Sequence, residues 1–186
     1  MKKVISFALA AIIFASCLAL ASCGKSEDGV PNGMKKASSD AASYIFYVPE
    51  VWQCDVASGA TTAYYSNSDT SSVSVMTFSL ENSDATADDW WEGFEDDFKK
   101  VYDDFSIESR EDTKLDGEDA VKYVFSGSLS HGEEEKVEFK FMQIASVKRK
   151  PLSAPEVYVI TYTSSPDVYE EHLSDVQKMI DNFKFN

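Results

Sequence analysis

Between Thr86 and Phe105 the spacing of apolar residues changes, and this change limits the fold more than any other feature. Trp90, Trp91, Phe94, Phe98, Val101, Tyr102 and Phe105 fall within an arc of about 120° when wound at 100° per residue, so the segment reads as an amphipathic helix. Thr86 is placed to cap it, with Asp88 and Asp89 in the first turn where the helix dipole favours acids. Asp88, Glu92, Glu95, Asp96 and Asp103 take the other side. Trp90 and Trp91 could form a sugar-stacking platform, but their place on the apolar stripe assigns them to core packing.

On both sides of this helix the period is two, the period of strands. Tyr44 to Val48 reads as a strand that stops at Pro49, and Glu50-Val51-Trp52 as a tight connection. Thr61 to Tyr65 and Ser72 to Leu80 read as the second and third strands, with a turn at Ser66-Asn67-Ser68-Asp69. From Ile107 strands return. Asp116-Gly117 signals a hairpin between a strand ending near Lys114 and one from Ala120 to Leu129. Here Val121, Tyr123 and Phe125 alternate with Lys122, Val124 and Ser126. A turn at His131-Gly132 leads to a strand from Lys136 to Val147, where Val137, Phe139 and Phe141 alternate with Glu138 and Lys140. Lys148-Arg149-Lys150-Pro151 reads as a basic loop, and Glu156 to Thr163 as a last strand. A closing helix is expected from Ser165-Pro166-Asp167, with Pro tolerated in the first turn. Its apolar stripe is Tyr169, Leu173, Val176, Ile180 and Phe183. The order, three strands, a helix, four strands and a helix, reads as an α+β domain with about six to seven strands.

The first residues concern location. Met1-Lys2-Lys3 precedes an apolar run from Val4 to Leu20, the pattern of a secretory signal peptide. A run of this length can also span a bilayer. Leu20-Ala21-Ser22-Cys23 resembles the bacterial lipobox, in which the cysteine is acylated and the chain is cut just before it. The resemblance implies lipid, such as palmitate, on Cys23 and cleavage after residue 22; an uncleaved anchor and soluble secretion are the alternatives. Phe14-Ala15-Ser16-Cys17 has an aromatic where the aliphatic belongs. Residues 23–41, polar with Gly and Pro, read as a flexible tether, and 42–186 as one globular domain. Gly24-Lys25-Ser26 is not a P-loop, because Ala19 stands where the first glycine is needed.

The chain carries a formal charge of -15, and two lysines leave with the signal to give -17. This acidity disfavours nucleic acid as a partner. Cys54 would be the one thiol besides Cys23, so no internal disulfide is expected. His131 and His172 are the only histidines and lack metal-ligand spacing. There is no G-x-S-x-G elbow, so no catalytic residue is assigned. Asp88, Asp89, Glu92, Glu95 and Asp96 have oxygen ligands for Ca²⁺ but not the EF-hand spacing. No cofactor or metal site is expected.

Two stretches frame the domain: Phe46-Tyr47-Val48-Pro49-Glu50-Val51-Trp52, and Tyr158-Val159-Ile160-Thr161-Tyr162-Thr163 followed by a helix and Asn182-Phe183-Lys184-Phe185. Over about residues 42–186 this resembles the PsbP-like superfamily, which includes the extrinsic photosystem II protein, a Ran-binding nuclear import factor and many small bacterial lipoproteins. The resemblance implies an antiparallel sheet with helices on both faces and a role in binding other proteins. It carries over no catalytic residue.

The functional expectation is therefore a lipid-anchored accessory or binding module at the bacterial cell membrane, facing outside the cytoplasm, with a protein partner. The alternative is a ligand- or metal-ion-binding protein, or an enzyme, with an unfamiliar site. Tyr64, Tyr65, Lys148, Arg149 and Lys150 are the candidate partner contacts.

Overall fold

The computed structural model describes residues 29–57, 60–131 and 135–186. The signal peptide, Cys23 and the glycine of the His131-Gly132 turn lie outside the described residues. In chain order the elements are β1 (Met34–Lys36), β2 (Tyr44–Ile45), β3 (Tyr47–Pro49), β4 (Gln53–Ala57), β5 (Ala60–Tyr64), β6 (Ser72–Ser79), α1 (Ala87–Val101), β7 (Asp103–Leu115), β8 (Glu118–His131), β9 (Glu135–Lys148) and β10 (Glu156–Ser164). A 3₁₀ turn (Tyr169–His172), α2 (Leu173–Asp181) and β11 (Lys184–Phe185) complete the chain.

Among the described residues, seven strands form one sheet in the order β4-β5-β6-β10-β9-β8-β7, every neighbouring pair antiparallel. The crossover through α1 carries the chain from β6, inside the sheet, to β7 at its edge. The β7–β10 meander then returns, so that β10 closes against β6. Two short pairs, β1 with β3 and β2 with β11, stand apart from this sheet.

Local chemistry explains the elements. Thr86 Oγ1 accepts from the Asp89 amide at 3.1 Å while Asp89 Oδ2 accepts from the Thr86 amide at 2.8 Å, a reciprocal cap that starts α1. Asp116 and Gly117 have φ of 47° and 85°. Two left-handed residues make a turn whose twist suits the strands it joins, and Leu115 pairs directly with Glu118. Gly127 has a different role: a Cβ there would lie 2.9 Å from Tyr102 Cβ, so glycine lets the end of α1 rest on β8.

Two apolar clusters form. Trp91 and Phe98 of α1 pack with Val121, Tyr123, Phe125, Phe141, Val157 and Val159. Val176, Met179 and Ile180 of α2 pack with Tyr158, Ile160 and Tyr162, and with Phe46, Val48 and Trp52 from the β2–β4 region. Consecutive residues of β10 thus alternate between the clusters. Successive strand residues point to opposite faces of a sheet.

The structure departs from the sequence expectations at four places. Met34–Lys36, inside the expected tether 23–41, forms β1: Met34 and Ala37 are buried, and the Ala37 amide donates to the Phe46 carbonyl at 2.8 Å. Two apolar residues in a polar, Gly-containing stretch were too few to signal this. Gln53–Ala57 forms the edge strand β4, which the sequence left unassigned because its side chains are largely exposed and its pairing to β5 is through backbone. α1 ends at Val101, itself exposed, and Phe105 comes from β7 instead. Asp104, with φ of 53°, turns the chain there, and Phe105 still packs 6.1 Å from Phe98. The closing α-helix begins at Leu173, not near Pro166. Tyr162 donates to the Tyr169 carbonyl at 2.9 Å, and that carbonyl is the one an α-turn would offer to Leu173.

Candidate functional site

α2 is only nine residues long. Beside it, towards β7 and β8, lies a groove. A cavity of about 680 Å³ has Ile144 and Ile180 in its lining, with Lys114, Lys122 and Lys184 around them. A second cavity, of about 270 Å³, shares Lys122 and Gln177 with the first and adds Val124, Met142, Leu173 and Lys140. Together they make one trough, with a floor of apolar strand residues, a wall of α2 and the preceding 3₁₀ turn, and lysines along it.

Each lysine is held. Lys122 pairs with Glu111, and Lys114 with Asp119. Lys140 pairs with Glu108 at 2.9 Å, and its Nζ also sits 4.7 Å above the Tyr169 ring. Lys184 pairs with Asp116 at 2.7 Å. Partial burial pushes the Asp116 carboxyl up, but bonds from Lys184 and the Phe185 amide outweigh it and leave it below the usual range. Burial pushes the Tyr169 hydroxyl well up, so it stays neutral and can serve as an apolar face for Lys140.

The residues singled out from the sequence do not form one site. Tyr64, on β5, pairs with Ser72, while Lys148 pairs with Glu156 and through it with Ser79. Ser72 and Ser79 are opposite ends of β6, about 24 Å apart at ~3.4 Å per residue. Tyr65 packs inward, 4.2 Å from the His172 ring and 5.6 Å from Trp52. Lys148 pairs with Glu118 and lies 5.1 Å over Phe185. Arg149 donates to the Ser83 carbonyl at 3.1 Å and the Ala85 carbonyl at 2.6 Å, bracing the entry to α1. Lys150 is exposed.

Next to it Leu152 is fully exposed with φ of 63°. A left-handed leucine costs about 1–2 kcal/mol, and glycine avoids that at an entropic cost of about 0.5–1 kcal/mol. Leu152→Gly is therefore expected to raise stability by about 0.5–1 kcal/mol, read as a higher denaturant midpoint. A lower midpoint would show that the side chain makes a contact the exposure does not reveal.

His172 is a packing residue. It is 6% exposed, with Nε2 2.6 Å from Asp69 Oδ2 and its ring against Tyr65 and Trp52. Asp69 Oδ1 accepts from the Ser71 amide at 2.8 Å. Partial burial raises the Asp69 carboxyl, but the bonds from Ser71 and His172 together outweigh it and hold it below the usual range. A carboxylate depressed in the folded state adds stability above its unfolded value near ~3.9, and loses it as pH falls through the folded value. Urea midpoints for the native chain should therefore fall more between about pH 6 and about pH 3 than those of Asp69→Asn. Equal falls would show that the pair does not stabilise the fold.

The acidic face of α1 is likewise engaged. Asp88 accepts from Arg110 at 2.6 and 3.2 Å and from the Tyr123 hydroxyl at 2.7 Å. Burial first, and the hydrogen bond to Asp88 second, push Tyr123 up to about 12. Glu95 pairs with Lys99 at 2.5 Å. Among the described residues no three His, Cys, Asp or Glu gather to hold a metal ion, and no helix is long and apolar enough to cross a membrane. Cys54 is half-buried on β4 against the core.

Sequence reasoning missed the groove lysines. The signal was present: Lys122 and Lys140 each fall on the polar phase of an alternating strand, and adjacent strands bring equal phases onto one face.

A sheet built in this order, with these two helices and a meander closing on β6, defines a PsbP/Mog1-like α+β fold. CyanoP, the cyanobacterial PsbP of Synechocystis sp., is 14% identical and matches 88% of this chain and 98% of its own with a TM-score of 0.60. The Ran-binding protein Mog1p of Saccharomyces cerevisiae is 11% identical over 82% of this chain and 95% of its own, with a TM-score of 0.54. A Pseudomonas aeruginosa protein of unknown function is 18% identical over 78% of this chain and 92% of its own, with a TM-score of 0.51. At such identities the likeness is one of fold alone. No protein-family model matches the chain, and no curated protein matches its sequence.

Proposed function

We propose that this chain is a non-catalytic accessory module of the bacterial cell surface, held at the membrane by lipid on Cys23, which grips a protein partner in the groove beside α2. The observation that carries the reading is the trough beside α2, two adjoining cavities of about 680 and 270 Å³ lined by Lys114, Lys122, Lys140 and Lys184 together with the half-buried Val124 and Leu173. The engaged state of the other polar groups supports it: His172, Asp69, Asp88 and Arg149 are each tied into contacts that hold the fold. The fold also suits protein recognition, since Mog1p, which shares it, binds Ran.

The test is chemical crosslinking in intact cells, followed by capture of the membrane-bound protein. One stoichiometric partner is expected with the native chain, and its loss with Lys122→Glu/Lys140→Glu. A partner retained by that variant, or none under several growth conditions, overturns the reading. The anchor is tested separately by feeding cells an alkyne-tagged palmitate. Label is expected on the native chain and not on Cys23→Ala, and label that survives the substitution contradicts the anchor.

A further inference from the structure

We propose that the outer edge of β7 is a self-association surface, on which β7 of a second copy of this chain pairs antiparallel about a two-fold axis through Thr113. The pairing does not depend on what the groove beside α2 holds.

Backbone argues first. β7 ends the sheet, and among the described residues no strand lies on its outer side. Its residues from Ser106 to Asp112 are all exposed. Leu115 and Glu118 flank the turn at Asp116-Gly117 and pair directly, so they exchange both their N–H···O=C bonds. Such pairs alternate with non-exchanging ones along an antiparallel ladder. Thr113 and Glu111 therefore turn their backbone groups to β8, and Lys114, Asp112 and Arg110 turn theirs outward. Register shifts between Asp103 and Ser106 and between Ile107 and Ser109 break the first half of the strand, and such bulges keep an edge from pairing. From Ser109 to Leu115 the register is regular, and the outward groups form a template that another strand can complete.

Charge argues second, and it fixes the occupant and the register. In the whole chain acids outnumber Lys and Arg by 32 to 17, so two copies repel over most of their surface. The stretch from Ser109 to Leu115 is balanced, with Arg110 and Lys114 against Glu111 and Asp112. Side chains opposed across a ladder lie on the same side of the sheet, so the two-fold axis between identical antiparallel strands passes through one residue. An axis at Asp112 sets Asp112 against Asp112 and Arg110 against Lys114. An axis at Glu111, Arg110 or Lys114 sets that charge against itself. Like charges directly opposite are destabilising. An axis nearer either end leaves most of the stretch unpaired. At Thr113 the conflict disappears: Thr113 faces Thr113, and Asp112 faces Lys114 on both sides of the axis. Threonine pairs and opposite charges both favour a ladder, and Asp112 and Lys114 are residues whose backbone groups turn outward.

The ion pairs within one copy do not oppose this. Asp112 pairs with Arg110 and Lys114 with Asp119, but Asp112 is 83% exposed and Asp119 96%. Ion pairs as open as these add little to stability. An ammonium has three donors, so Lys114 can reach Asp112 of the second copy with Asp119 still beside it. Arg110 keeps its bonds to Asp88 at 2.6 and 3.2 Å when Asp112 turns to the second copy.

The experiment is oxidative crosslinking in intact cells with added cysteines, read as the dimer band on a non-reducing gel. The native chain, with its own cysteines, sets the background. At the axis the opposed Cα atoms approach to about 4.5 Å, inside the range of about 4.4–6.8 Å that a disulfide spans. The two copies of position 111 lie about 14 Å apart at ~3.4 Å per residue. Thr113→Cys is therefore expected to give at least about tenfold more disulfide dimer than Glu111→Cys, or than Glu92→Cys at an exposed site on α1. Adding Lys114→Asp, or instead Asp112→Lys, to Thr113→Cys opposes like charges and is expected to remove the dimer. Those two variants co-expressed with different tags oppose unlike charges at both places and are expected to crosslink with each other, which separates loss of pairing from loss of fold. If Thr113→Cys fails to fold, Asp112→Cys co-expressed with Lys114→Cys replaces it, because that pair is opposed at about 5.5 Å. Equal dimer from the three cysteines, none from Thr113→Cys, or no crosslink between the two charge variants overturns the proposal.

Discussion

Trp91→Ala is expected to lower the unfolding free energy by about 3–5 kcal/mol, the range for emptying a large aromatic site in a core. Trp91 is 1% exposed and lies between α1 and the sheet. Its ring stacks on Tyr123 at 4.0 Å and 11°, and stands 5.1 Å from Phe125 and 6.5 Å from Phe98. The loss is one of packing, because the indole Nε1 has no hydrogen-bond partner among the described residues. It follows that Trp91→Phe, which keeps a ring and removes that buried donor, should cost much less than Trp91→Ala. Guanidinium unfolding with an unchanged slope checks both. A Phe variant as unstable as the Ala variant would show that the nitrogen carries the stability.

In the other cluster Trp52→Ala is expected to cost a similar ~3–5 kcal/mol. Trp52 is wholly buried, packs 5.6 Å from both Tyr65 and His172, and donates from Nε1 to Asp175 Oδ2 at 3.1 Å. It thus joins the turn before β4 to the first turn of α2. Asp175 keeps Lys178 at 3.2 Å, so it is not left without a partner. Domains of this kind are stable by ~5–15 kcal/mol in total. Removing both tryptophans should therefore leave the chain largely unfolded at 25 °C, while each single variant folds. A folded double variant would mean that the two clusters share their stability instead of adding.

The helix α1 and the long strands were legible because their side chains carry a period. Trp91 and Phe98 recur at helical spacing, and Tyr158, Ile160 and Tyr162 at strand spacing. The Asp116-Gly117 hairpin was legible because its turn demands two residues that tolerate positive φ. What escaped was held by backbone alone or by distant partners. β4 buries too little to show a pattern. β1 is recruited by β3, and the Tyr169 carbonyl just before α2 is met by a hydroxyl on β10. The site escaped for a related reason. Arg149 and Lys148 look like free cations in sequence, yet the fold brings Ala85 and Glu118 to them. Lys122 and Lys140 lie 18 positions apart in the sequence, and only the β8–β9 register places them on one floor.

The most direct test of the account is site-specific photo-crosslinking in intact cells, with the reactive side chain placed in turn at Glu170 and Gln177, both exposed in the groove lining, and, as a control, at Val56 on the far edge strand β4. The account predicts one discrete adduct of the same size from Glu170 and Gln177, none from Val56, and its disappearance when Lys122 and Lys140 are changed to glutamate. Adducts from Val56 but not from the groove positions, or adducts indifferent to the two lysines, would contradict it.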